Sequence, residues 1–179
     1  RDFIRSLPNG SRVMVGYITS GSLQVRQPFT TELDKAARSL RMPRSSTTAS
    51  PYNPYVELIE AFRKFDGNSR SRNAVLLVSD GLDTSHGFDS SSAGHTLDLE
   101  RAIKQANARD IAVYAFYAPS VGLTSYSRLA AGYGQSALNR LANETGGKAF
   151  FQGMDGFVSF DSHFERLKRA LNEQSARPA

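Results

Sequence analysis

The side chains best placed to do chemistry stand in Ser79-Asp80-Gly81, directly after the apolar run Ala74 to Val78. An acidic residue before a glycine at the end of a buried strand puts a carboxylate at a turn. There it can hold a hard cation or cap the loop that follows. Asp83 lies in the same loop and reads as a surface carboxylate or an outer support to Asp80. His86, His95 and His163 lack transition-metal spacing and read as ordinary surface histidines. The chain has no cysteine, which excludes disulfides and thiolate chemistry. It has no Gly-x-Ser-x-Gly elbow. Gly132-Tyr133-Gly134 follows a long loop and not a strand, so it does not match the dinucleotide-binding fingerprint. Tyr126, Tyr133 and Arg128 belong to residue types enriched at interfaces, and the stretch from Val121 to Gly134 reads either as a contact loop or as a disordered one. These features offer no motif for nucleophilic catalysis or dinucleotide binding.

Charge narrows the partner. The 22 Lys and Arg residues are interleaved with 17 acidic ones, for a net charge of +5. Arg166, Lys168 and Arg169 come nearest to a basic cluster, and their spacing fits the solvated face of a helix. Nucleic acid is therefore not the expected partner. No apolar run approaches the roughly 18 residues that span a bilayer, so no membrane insertion of this segment is expected.

The elements that must position Asp80 alternate between the strand and helix periods. Arg1 to Leu7 reads as the end of a helix, stopped by Pro8-Asn9-Gly10. Val13 to Thr19 and Leu23 to Phe29 read as a hairpin, with Gly21 in its turn. Thr31 is expected to cap a helix whose apolar face is Leu33, Ala36, Ala37 and Leu40. Asn53-Pro54 opens a helix buried through Tyr55, Leu58, Ile59, Phe62 and Phe65. Ala74 to Val78 reads as a parallel strand buried on both faces. Thr96 is expected to cap a helix striped by Leu99, Ile103 and Ala106, and Ile111 to Ala118 is the next strand. Pro119 to Gly134 reads as loop, and Leu138, Leu141 and Ala142 mark a helix ended by Gly146-Gly147. Lys148 to Gln152 is a short strand, and Ser162 to Glu165 opens a last helix through Phe164, Leu167, Ala170 and Leu171. This order predicts an α/β fold: a doubly wound, mostly parallel sheet with one antiparallel edge strand and helices on both faces. Residues 1–174 are expected to form one domain, followed by a frayed tail at 175–179.

Three collinear segments carry a resemblance. Val75-Leu76-Leu77-Val78-Ser79-Asp80-Gly81 resembles the fourth-strand signature of von Willebrand factor type A (VWA) domains. Residues 137–150 resemble their fifth helix and sixth strand, and residues 12–40 their second strand, third strand and second helix. The likeness is nearest to a bacterial, acidobacterial-type branch of the family. It implies a Rossmann-like fold, a protein-interaction or adhesion function and an extracytoplasmic location.

The resemblance also implies a metal-ion-dependent adhesion site for Mg²⁺ or Mn²⁺, to which an acidic group of the protein partner contributes. Its ligands are an Asp-x-Ser-x-Ser run after the first strand, a Thr before the third helix and an Asp ending the fourth strand. Asp80 matches the last of these. Thr48 is the choice for the Thr, with Thr47 and Ser50 as alternatives. The chain contains no Asp-x-Ser-x-Ser run, and Asp89-Ser90-Ser91-Ser92 has the wrong spacing. A central first strand is absent too. Arg1 is therefore not expected to be the natural start, and preceding residues or another chain must supply the strand. The alternative function is a metal-independent structural or assembly scaffold. A hydrolase would need a paired general base near Asp80.

Overall fold

The computed structural model describes residues 1–19, 21–41, 53–67, 73–85, 97–119, 128–151 and 164–169. In chain order the elements are α1 (Asp2–Arg5), β1 (Val13–Thr19), β2 (Ser22–Thr30), α2 (Leu33–Ser39), α3 (Pro54–Phe62), β3 (Asn73–Ser79), α4 (Leu97–Asn107), β4 (Ile111–Tyr117), α5 (Arg128–Glu144), β5 (Ala149–Phe150) and a helical turn and a half, α6 (164–169). The chain forms two compact units, one from Arg1–Ser45 with Ser159–Ala179 and one from Ser46–Val158. The strands fall into two sheets, an antiparallel pair β1-β2 and a parallel sheet β3-β4-β5. The α/β class is as expected. The single sheet with an antiparallel edge is replaced by this division.

In the first unit, β1 and β2 pair from Val13↔Thr30 to Thr19↔Ser22, and Gly21 takes a φ of 69° at the turn. Ile4, Val15, Ala36 and Ala37 form its small buried cluster. Thr31 is not the cap of α2. Glu32 occupies that position without a side-chain cap, and Thr30 Oγ1 accepts the Glu32 N–H at 3.0 Å. Arg5 bonds Asp34 at 2.9 Å and Asp2 at 3.1 Å, and these carboxylates raise its already high pKa. In α6 Leu167 is buried while Arg166 and Arg169 are exposed, as the amphipathic reading requires.

The second unit holds the larger core. Tyr55, Leu58 and Phe62 of α3, Leu99 and Ile103 of α4, and Leu138 and Leu141 of α5 pack with Leu77 of β3 and with Ile111, Val113, Ala115 and Tyr117 of β4. Side chains alternate across a strand, so these positions lie on one face of the sheet. The crossovers β3-α4-β4 and β4-α5-β5 step in one direction, which puts both helices on that face. Two expectations fail here. Arg128 to Gly134 is helical and not loop: α5 starts ten residues before Leu138. And β3 is not buried on both faces. Among the described residues it is an edge strand of its sheet, and Val78 is 56% exposed.

The far edge of β4 is finished by a side chain. Ala115 N–H donates to Lys148 C=O at 3.0 Å, so Val113, two residues earlier, turns its backbone to the same side. β5 is only two residues long and does not reach it. Thr145 fills the place. Its buried hydroxyl accepts the Val113 N–H at 3.0 Å and donates to Leu141 C=O at 2.8 Å. Gly146, with φ 75°, ends α5 as the glycine signal predicts. Thr145→Val should therefore cost about 1–3 kcal/mol, because it strands a buried amide without changing the volume. Thr145→Ser should recover most of that. Chemical denaturation of the three proteins checks it, and equal midpoints for wild type and Thr145→Val would refute the role.

Candidate functional site

The site is the carboxyl end of β3, where the crevice of an open α/β sheet lies. The apolar run ends at Ser79, and Gly81, with φ 75°, turns the chain. Side chains hold this turn. Ser79 Oγ accepts the Gly81 N–H at 3.0 Å, and Asp80 Oδ1 accepts the Leu82 N–H at 3.2 Å. The Tyr55 hydroxyl of α3 donates to Gly81 C=O at 2.6 Å in a buried contact. Leu82 is buried behind it.

Two glycines let α5 touch this turn. An ideal Cβ on Gly134 would lie 2.0 Å from the Asp80 carbonyl oxygen. One on Gly81 would lie 2.3 Å from the Gly134 carbonyl oxygen. The backbones of strand end and helix are thus in direct contact.

Asn53 joins three further segments. Its Oδ1 accepts from Tyr55 N–H at 3.0 Å and Val56 N–H at 3.3 Å, capping α3 as Asn-Pro predicts. Its Nδ2 donates to Asp83 Oδ2 at 2.9 Å and to Asp98 Oδ2 at 2.8 Å. All four hydrogen-bonding positions of the amide are used. Asp83 Oδ1 accepts from both the amide and the hydroxyl of Ser85, and Asp98 Oδ1 pairs with Arg101 at 3.0 Å. Asp83 is therefore a structural tie between the loop and α3. Asn-Pro announced the cap, but nothing local announced that the same amide reaches Asp98, 45 positions away.

Three exposed apolar side chains stand at helix starts in this unit. Val56 is 41% exposed, Leu97 69% and Leu129 56%, each in the first turn of its helix. Helices that follow parallel strands begin at the strands' carboxyl ends, so Leu97 and Leu129 share the end that bears Asp80. The Tyr55–Gly81 bond brings the start of α3, with Val56, to the same end.

Of the residues expected at a metal site, Asp80 stands where β3 ends, while Thr48, Thr47 and Ser50 lie outside the described residues. So do His86, His95, His163, the Asp89 to Ser92 run and Tyr126. Tyr133 is half-buried on α5 and Arg128 is exposed at its start. Mg²⁺ needs about six oxygens in near-octahedral array. Among the described residues no group of three or more His, Cys, Asp or Glu could hold a metal ion. Asp83 and Asp98 are already committed to Asn53. The described donor set does not by itself fit the cation. Also among the described residues, no helix is long and apolar enough to cross a membrane.

No family model and no curated protein matches this chain. Two solved structures match in fold. One is an aerotolerance-related membrane protein from Bacteroides fragilis NCTC 9343 carrying multiple mutations to serines, with a TM-score of 0.67 and 15% identity, over 96% of this chain and 83% of that one. The other is the conserved hypothetical protein BatB from Bacteroides thetaiotaomicron, with a TM-score of 0.68 and 16% identity, over 98% of this chain and 84% of that one.

Proposed function

We propose that this chain is a VWA-type protein-interaction module, which binds a protein partner at the carboxyl end of β3 and acts as a binder and not a catalyst. The observation that carries this reading is that Val56, Leu97 and Leu129 are exposed in the first turns of α3, α4 and α5, the helices that begin at the end that bears Asp80. Contiguous apolar surface marks an interaction site, and these three side chains are proposed as parts of one. The Asp80 turn at this end is held by the Tyr55 hydroxyl of α3 and by contact with α5, so it is pre-organised. The extracytoplasmic location implied by the resemblance belongs to the same proposal.

The test is a crosslinking one. A photo-reactive residue at Leu97 or Leu129 should capture one partner in its native host, and a Leu97→Glu/Leu129→Glu variant of unchanged Tm should lose it. Undiminished capture of that partner by the variant would overturn the reading.

The engagement of Asp83 and Asp98 with Asn53 favours the metal-independent form of this module for residues 1–179. Mg²⁺ or Mn²⁺ would need oxygens beyond Asp80, from Thr48 and from an Asp-x-Ser-x-Ser segment that this chain does not contain. Calorimetric titration of residues 1–179 with either ion should show no saturable heat at about 1 mM, within the affinity range of oxygen-ligand sites. A stoichiometric heat that Asp80→Asn removes would reverse this and restore the metal-assisted form.

A further inference from the structure

We infer that Asn9 is a site of spontaneous modification, where the side-chain amide is lost through a cyclic imide to give aspartate and isoaspartate. The inference is independent of the partner face, because it concerns the turn between α1 and β1.

The reaction joins a nucleophile and an electrophile on adjacent residues. The backbone nitrogen of Gly10 attacks Cγ of Asn9. A carbon–nitrogen bond forms, the Gly10 nitrogen gives up its proton, and the side-chain amide leaves as ammonia. Water then opens the five-membered imide at one of its two carbonyls. Opening at Cγ gives aspartate. Opening at the main-chain carbonyl gives isoaspartate, in which the backbone runs through the former side chain. One water is consumed and one ammonia released, with no redox partner. The isoaspartyl product adds one carbon to the tie between α1 and β1, whose Ile4 and Val15 share a buried cluster.

The turn supplies what this chemistry needs. Ser11 N–H donates to Pro8 C=O at 3.1 Å, so Asn9 and Gly10 are the two central residues of a β-turn. Gly10 takes a φ of 88°, which glycine adopts at no steric cost. Both residues are exposed, and a Cβ built on Gly10 meets nothing within 4 Å. No neighbouring group crowds the attacking backbone. Among the described residues, neither the Asn9 side chain nor the Gly10 N–H has a hydrogen-bond partner.

Little holds the turn shut. The Asn9 carbonyl plane must rotate to bring the Gly10 nitrogen within the roughly 3–3.5 Å of a near-attack geometry. That rotation breaks the Ser11–Pro8 bond, a single hydrogen bond between exposed turn residues. Openings of this kind lie at the low end of the range of opening free energies.

Comparable positions each lack a part. At Asp80-Gly81 the nucleophile is occupied, because Gly81 N–H donates to Ser79 Oγ at 3.0 Å, and α5 lies against the turn. Asn53 precedes Pro54, whose nitrogen has no proton to give up, and its own amide is fully bonded. The Asn107 amide donates to Glu144 C=O at 3.1 Å. Asn139 and Asn143 lie within α5, where regular helix fixes the next nitrogen and a side chain crowds it. Asp66-Gly67 is exposed as well, but a carboxylate is a poorer electrophile than a carboxamide.

Ageing the folded protein in mildly alkaline buffer tests this, with samples taken over several days and a zero-time sample to correct for conversion during digestion. Arg5 and Arg12 bracket the turn, so trypsin releases it as the peptide of residues 6–12. The mass of that peptide should shift with time by the exchange of NH₂ for OH, and the shifted material should separate into aspartyl and isoaspartyl forms. Asn53, Asn107 and Asn139 should keep their amides over the same period. Asn9→Gln should lose the shift, because its ring would have to be one carbon larger. A peptide of residues 6–12 that keeps its amide throughout overturns the inference. So does conversion to aspartate alone, which would bypass the Gly10 nitrogen.

Discussion

Gly134→Ala should destabilise the second unit by more than about 3 kcal/mol, while Gly132→Ala, two residues away on the same helix, should stabilise it by up to about 1 kcal/mol. Alanine is the better helix former, so propensity alone favours both changes. The surroundings separate them. A Cβ on Gly132 meets nothing within 4 Å, whereas one on Gly134 would sit 2.0 Å from the Asp80 carbonyl oxygen. That oxygen is backbone at the end of β3 and cannot rotate away. Relief requires α5 to move from the strand end, which would open the core through Leu138 and Leu141. Denaturation midpoints of the two variants decide the matter. If Gly134→Ala gains stability as Gly132→Ala does, the contact between α5 and the Asp80 turn does not exist.

Asn53→Ala should cost about 2–4 kcal/mol. The lost N-cap accounts for about 1 kcal/mol, and two hydrogen bonds to carboxylates add roughly 1–3 kcal/mol after allowance for their partial exposure. Asn53→Asp separates the two contributions. It keeps the acceptor that caps α3 but replaces the shared amide donor with a third carboxylate beside Asp83 and Asp98. Like charges raise the pKa of the introduced carboxyl in the folded protein above its unfolded value. The sign follows: the penalty is full at neutral pH and shrinks as pH falls through that raised pKa. The stability difference between Asn53→Asp and wild type, measured from pH 7 down to about pH 4, should therefore narrow. A difference that does not change with pH would mean that the three side chains do not meet.

Local patterns made much of this fold legible. The β-branched run of β1 defined its bounds, and the spacing of Tyr55, Leu58 and Phe62 defined the buried face of α3, because both depend on neighbours in sequence. What escaped depends on neighbours in space. Pro119 to Gly134 reads as loop, yet α5 runs through Gly132 and Gly134, and Gly134 is required by a carbonyl 54 positions earlier in the chain. The apolar run of β3 reads as buried on both faces, but such a run records what a strand can tolerate and not what lies beside it. Position made Asp80 visible as a strand-end carboxylate. The link from Asn53 to Asp83 and Asp98 was invisible, since each half of it has an ordinary local explanation as a cap, a loop acid or a first-turn acid.

The hydroxyl of Thr145 has a consequence for motion as well as for energy. It receives the Val113 amide with one lone pair and gives its proton to the last turn of α5. The helix end therefore cannot fray as an independent event, because each opening also deprives a central strand of its acceptor. The carboxyl-terminal turn of α5 and the outer side of β4 make up one cooperative unit, and a terminus that would ordinarily open first is raised toward the opening free energy of the sheet.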